Sequence, residues 1–103
     1  MSQDFICSVW NNGSNGWGIR IGSINRKYFD KTQTEITIEL NGKENQFNIT
    51  KTFWTTCPEI RGKYIQEWLK NSKINKQNKN NYSVILTKIN GKYKARISKK
   101  KGE

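Results

Sequence analysis

Histidine is absent from this 103-residue chain, and cysteine occurs only twice, as Cys7 and Cys57, fifty positions apart and in no paired spacing. Without His and with isolated thiols, neither the common zinc-ligand sets nor a His-based nucleophilic triad can be assembled. Cys7, in an apolar run, and Cys57, just before Pro58, read as inert thiols of a reducing compartment, because no adjacent base would activate either one. The 8 acidic residues are scattered singly, with no D-x(n)-E-x-K grouping. Metal-assisted phosphodiester cleavage wants clustered carboxylates, so neither an enzyme nor a cofactor is expected. No apolar stretch approaches the roughly 18 residues of a membrane span, and Met1-Ser2-Gln3-Asp4 lacks a basic-then-apolar signal pattern. The expected location is the cytoplasm, with no membrane partner.

Hydrophobic residues make up only 33% of the chain, but four Trp, four Tyr and four Phe promise a core of few, large side chains. A 12.1 kDa chain buries roughly two-thirds of its unfolded surface, enough for one core without disulfide or metal staples. One domain over residues 1–103 is expected, ordered over about 5–97 and ending in a basic, frayed tail.

Charge is distributed unevenly. Lys and Arg outnumber Asp and Glu by 19 to 8, and the whole excess of +11 lies beyond residue 60, where thirteen basic residues meet only Glu67 and Glu103. That asymmetry points to a polyanionic partner; a solubilising face in a Lys/Asn-rich composition is the bland alternative.

Hydrophobic alternation predicts mostly short strands. Phe5–Trp10 and Trp17–Ile21 flank a polar loop, Asn11-Asn12-Gly13-Ser14-Asn15-Gly16. Asn25–Asp30 fits one or two helical turns behind caps at Ser23 or Asn25. Glu35–Leu40 and Gln46–Thr50 alternate around an Asn41-Gly42 turn, and Tyr82–Ile89 and Tyr93–Ile97 around Asn90-Gly91. Thr56 and Glu59 form a capping box with Pro58 in the first turn, predicting a helix that runs to Asn71 with Ile60, Tyr64, Ile65, Trp68 and Leu69 on one face. Ser72–Asn81 reads as a solvated connection. The expected fold is mainly β with two helices: six strands, mainly antiparallel, closing into a barrel or half-open barrel.

Two segments carry side chains suited to reading a ligand. In the first loop, Asn11, Asn12, Ser14 and Asn15 offer hydrogen bonds beside glycines that permit close approach; a plain hairpin loop would look the same. Trp17 stands at its rim, and Arg20 either reaches the ligand or pairs with Glu35 or Glu39 across the sheet. In Thr50–Arg61, Phe53 and Trp54 are most simply core anchors, and Thr56 and Glu59 are explained by capping, but Lys51, Thr52 and Thr55 have no structural duty.

NGSNGWGIRI, the N-R-K-Y-F element and FWTTCPEIRGKYIQEWL together resemble the B3-type pseudobarrel domains that recognise DNA in certain Type II restriction endonucleases and are related to plant B3 transcription-factor domains. The resemblance spans residues 5–97. It implies a seven-stranded open barrel with two helices that grips the major groove of double-stranded DNA between two arms, here Trp10–Arg20 and Thr50–Arg61. The residues it assigns to DNA are Asn11, Asn12, Ser14, Asn15, Trp17 and Arg20 in the first arm, and Lys51, Thr52, Trp54, Thr55, Thr56, Glu59, Arg61 and Lys63 in and after the second. Lys88, Lys94 and Arg96 are weaker phosphate candidates. Any nuclease activity would belong to another domain or subunit. Two other readings stay open: a single-strand binder of the oligonucleotide-binding-barrel kind, stacking bases on Trp10, Trp17 and Tyr93, and a protein-interaction module.

Overall fold

A computed structural model describes residues 2–13, 16–56 and 58–100. Ser14, Asn15 and Cys57, three residues of interest in the sequence, lie outside the described residues. The chain is mainly β, a seven-stranded sheet nearly closed into a barrel. Its strands are β1 (Ser2–Asn12), β2 (Gly16–Arg20), β3 (Glu35–Leu40), β4 (Lys43–Asn48), β5 (Glu59–Arg61), β6 (Tyr82–Ile89) and β7 (Lys92–Lys99). They lie in the order β4-β3-β7-β6-β1-β2-β5, every pairing antiparallel except β3 with β7. The two N-G hairpins form as expected: Asn41 and Gly42, and Asn90 and Gly91, all take positive φ, matching the turn to the twist of the flanking strands.

Alternation decides which side chains enter the barrel. Phe5, Cys7 and Val9 of β1, Ile36, Ile38 and Leu40 of β3, Val84 and Leu86 of β6, and Tyr93 and Ala95 of β7 are all buried. The aromatic core expected from composition is continuous. Phe5 stacks on Tyr28 at 4.4 Å, Phe29 stacks on Tyr93 at 4.7 Å, and Phe53 meets the edge of Phe29 at 5.2 Å. Such pairs contribute about 0.5–1.5 kcal/mol each beyond simple burial. The Tyr93 hydroxyl donates to the Tyr28 carbonyl at 2.8 Å, so its polar end is satisfied inside. Burial also pushes the Cys7 thiol up to about 12, as an inert thiol requires.

The largest departure from expectation lies at residues 51–63. There is no helix beginning at Thr56 and no capping box. A short helix, α1 (Lys51–Thr55), comes first; Thr56 closes it, its N–H bonding the Thr52 carbonyl at 3.0 Å. Glu59–Arg61 then extends as β5, the seventh strand, and helix α2 (Lys63–Asn71) starts only after Gly62. The cause is tertiary. The Pro58 carbonyl accepts from Ile21 N–H at 2.8 Å, and Gly18, lacking a side chain, lets β5 come so close that a Cβ there would sit 2.5 Å from the Ile60 oxygen. Ile60 is therefore a buried strand residue, and Tyr64 is exposed. Ile65, Trp68 and Leu69 form the buried stripe of α2.

Smaller differences share the same logic. Ser23–Tyr28 is a 3-10 helix without a side-chain cap; Asn25 instead bonds the carbonyls of Ile6 and Ile21. The 72–81 connection is not wholly solvated. Lys73 turns left-handed after α2, the Ile74 N–H returns to the Leu69 carbonyl at 3.1 Å, and Ile74 is buried as the hydrophobic partner of that cap. The basic tail is strand as far as Lys99, and Lys100 N–H bonds the Asn81 carbonyl.

Candidate nucleic-acid interface

Antiparallel pairing of β2 with β5 (Gly18 opposite Arg61, Ile19 opposite Ile60, Arg20 opposite Glu59) determines where the two polar segments lie. The loop entering β2 and the segment entering β5 precede strands of opposite direction, so they stand at opposite ends of the pair. Five residues of β2 at about 3.3 Å each separate them by roughly 15 Å. One jaw is the β1–β2 turn, with Asn12 and Gly13 exposed and Asn11 tied across the hairpin by its Nδ2 to the Gly16 carbonyl at 2.9 Å. The other is α1 with Thr56, exposing Lys51, Thr52, Thr55 and Thr56. Thr52 shares a 2.8 Å hydroxyl contact with Thr50, and the Thr55 hydroxyl turns back on the Lys51 carbonyl.

Between the jaws, the core-facing row is Val9, Ile19 and Ile60, so the alternate rows face outward: Trp10, Gly18 and Arg61, and Ser8, Arg20 and Glu59. Arg61 crosses the gap that Gly18 leaves and lies over the Trp10 ring, 5.0 Å from its centroid. Trp10 is thereby buried while the guanidinium stays exposed. Arg20 pairs with Glu59 at 3.4 Å, not with Glu35 or Glu39. Glu59 thus neither caps a helix nor stands free to read a base; its carboxylate is shielded beneath Arg20. Lys63 follows Arg61 at the start of α2 and is exposed.

Three assignments change on this geometry. Trp17 packs partly against the core and lines a groove with Gln66, Lys70 and the 74–77 loop, away from the outward rows. Trp54 is half-buried, edge-on to Phe53 at 4.9 Å, and lines a separate cleft with Arg26, Lys27, Phe29 and Lys31. Trp10, Trp17 and Tyr93 form no stacking platform: Trp10 lies under Arg61, Trp17 faces α2, and Tyr93 is 1% exposed.

Part of the charge excess of the C-terminal half is paired: on β7, Lys92 meets Glu44, Lys94 meets Glu39 at 3.8 Å, and Arg96 meets Asp4 at 3.6 Å, all carboxylates of the N-terminal half. Of the weaker phosphate candidates, Lys94 and Arg96 are thus each paired with a carboxylate, and Lys88 is not. Among the described residues, Arg26, Lys27, Lys31, Lys51, Arg61 and Lys63 have no carboxylate within 4 Å, and neither do Lys43, Lys70, Lys73, Lys76, Lys79, Lys88, Lys99 and Lys100. The first three were not assigned from sequence, although the N-R-K-Y-F element was a visible signal. Also among the described residues, no group of acidic or thiol side chains could hold a metal ion, and no helix is long and apolar enough to cross a membrane. No protein-family model, curated protein or solved structure matches the chain.

Proposed function

We propose that the chain binds double-stranded DNA sequence-specifically, seating its two jaws in the major groove, as the B3-like target-recognition domain or subunit of a restriction-type system. Cleavage would then belong to another domain or subunit. The observation that carries this reading is the β2–β5 pairing: the two polar segments enter its strands from opposite ends of β2, a strand roughly 15 Å long beside a groove about 12 Å wide, and Arg20 and Arg61 are exposed on the strands between. Asn12, Thr52, Thr55 and Thr56 supply hydrogen bonds for base edges, while Lys51, Arg61 and Lys63 supply charge for phosphates or guanine. Burial of Trp10 and Tyr93, with Trp17 half-buried in a groove against α2, favours duplex over single strands.

The test is affinity for one duplex and its separated strands across a salt series, followed by selection of bound duplexes from a random pool. Neutralising about five to seven phosphates gives a log–log salt slope on the order of −4 to −6. Constant affinity between low and physiological salt, preference for single strands, or no enriched sequence would overturn the reading.

A further inference from the structure

We propose that the cleft between the Ser23–Tyr28 helix and α1 binds a nucleotide, its phosphate at Arg26, Lys27 and Lys31 and its base against Trp54. The cleft is open to solvent, with a volume of about 480 Å³, within the range of small-ligand sites, and its lining residues are Arg26, Lys27, Phe29, Lys31 and Trp54, with no carboxylate among them.

Arg26 is held in place. Its Nε donates to the Phe53 carbonyl at 2.8 Å, which ties the 3-10 helix to α1 and leaves the two terminal nitrogens of the guanidinium for another acceptor. Lys27 and Lys31 are exposed and line the same cleft, the Lys27 ammonium 5.3 Å from the centroid of the Tyr28 ring. The adjacent carboxylate, Asp30, stays charged but lies within 4 Å of none of the three side chains' nitrogens; its Oδ1 turns to Thr32, accepting from the N–H at 2.9 Å and the hydroxyl at 2.7 Å. Three cations without an acidic partner call for an anion. Trp54, half-buried against Phe53, adds an aromatic face that an inorganic anion would leave unused, and a purely apolar ligand would leave the cations bare. A nucleotide satisfies both, phosphate to the cations and ring to the indole. It could come from solution, or from a strand whose base has swung out of a duplex. The site does not depend on the duplex reading, because a free nucleotide reports on it with no duplex present.

The test follows the indole N–H signals of the four Trp residues in ¹H–¹⁵N spectra of the whole chain, with Trp54 assigned by its loss in Trp54→Phe. The chain is titrated with deoxycytidine 5′-monophosphate, and with inorganic phosphate and sodium chloride at matched ionic strength. Saturable movement of the Trp54 signal with the nucleotide, beyond that with phosphate, and at least about tenfold weaker binding in Lys27→Ala/Lys31→Ala support the site. The source is read by adding a duplex in place of the mononucleotide. Movement of the Trp54 indole signal by the duplex as by the mononucleotide identifies a swung-out base; a Trp54 signal that the duplex leaves in place, with the mononucleotide still binding, identifies a free nucleotide. Equal responses to phosphate and nucleotide, or binding unaffected by the double substitution, overturn the proposal. Because the spectra themselves report folding, a variant that unfolds is replaced by Lys27→Gln/Lys31→Gln.

Discussion

Arg61 lies over the indole of Trp10 with its guanidinium carbon 5.0 Å from the ring centroid, and the residue between them in the β1–β2–β5 row is Gly18. The three form one unit. Gly18 allows β5 to pair closely, and Arg61 then covers Trp10 while keeping its charge in solvent. Gly18→Ala should destabilise the protein by about 2–3 kcal/mol, because the added Cβ would meet the Ile60 oxygen at 2.5 Å and Arg61 Cγ at 3.0 Å. Arg61→Ala, which removes an exposed cation–π contact, should cost only about 0.5–1 kcal/mol. Urea titration of both variants checks the order; equal midpoints would mean that β5 is not held by this close approach.

Cys7 provides a pH-dependent test. Its thiol stands at about 12 in the folded chain against 9.0 for the free group, because burial disfavours the thiolate. Below pH 9 both states hold the proton and Cys7 gives stability no pH dependence. Between pH 9 and about 12 the unfolded chain binds fewer protons, so stability falls by up to about 1.4 kcal/mol per pH unit. Tyr93, raised by burial and then by Asp30 from 10.0 to about 12, adds a second decline from pH 10 upward. The stability difference between wild type and Cys7→Ala should hold constant to pH 9 and shrink above it. In a Cys57→Ser background, a thiol reagent at pH 8 should modify Cys7 only as fast as the chain opens.

The strands that alternate cleanly and turn on Asn-Gly were legible in the sequence, because the register of an N-G hairpin is set within a dozen residues. β5 was not. Glu59-Ile60-Arg61 is too short to show a period, and T-x-x-E with Pro58 is a sound local helix signal; what overrides it is the bare backbone of Gly18 forty residues away. The two jaws were legible as polar segments, but their placement at opposite ends of one strand pair was not, since it follows from β2–β5 pairing alone. Charge misled in a similar way. Lys94 and Arg96 lie in the basic half of the chain, and their partners Glu39 and Asp4 lie in the balanced half, brought together by β3–β7 and β1–β6–β7 neighbourhood.

The α2 helix is a structural element, and its apolar stripe should behave as core. Trp68 and Leu69 are 5% and 1% exposed. Trp68→Ala should cost about 3–5 kcal/mol, a large share of the roughly 5–15 kcal/mol that holds a small domain together, and lower the melting temperature accordingly. Tyr64→Ala on the same helix, at an exposed position, should change stability by no more than about 0.5 kcal/mol. Equal melting of Trp68→Ala and wild type would show that this face does not pack on the barrel.

The division between neutralised and unpartnered cations predicts which substitutions alter binding to duplex DNA. Lys94 and Arg96 each face a carboxylate at 3.8 and 3.6 Å on the outer surface of β7, whereas Arg61, Lys63 and Lys51 lie on the jaw side without one. Removing a phosphate contact weakens binding to all sequences and lowers the salt slope by about one, while removing a base contact costs about 1–3 kcal/mol on the preferred site and far less on random duplex. Lys63→Ala and Lys51→Ala should show the first pattern. Arg61→Ala should show the second if its guanidinium turns from Trp10 to a guanine edge, and Asn12→Ala should do so from the turn of the first jaw. Lys94→Ala and Arg96→Ala should leave both affinity and slope within error of wild type, because each is already engaged by a carboxylate on β7's outer surface and makes no phosphate contact. Paired affinities on selected and scrambled duplexes, at three salt concentrations, separate the patterns. If Lys94→Ala weakens binding as much as Lys63→Ala does, the DNA lies across β7 and the jaws are not the interface.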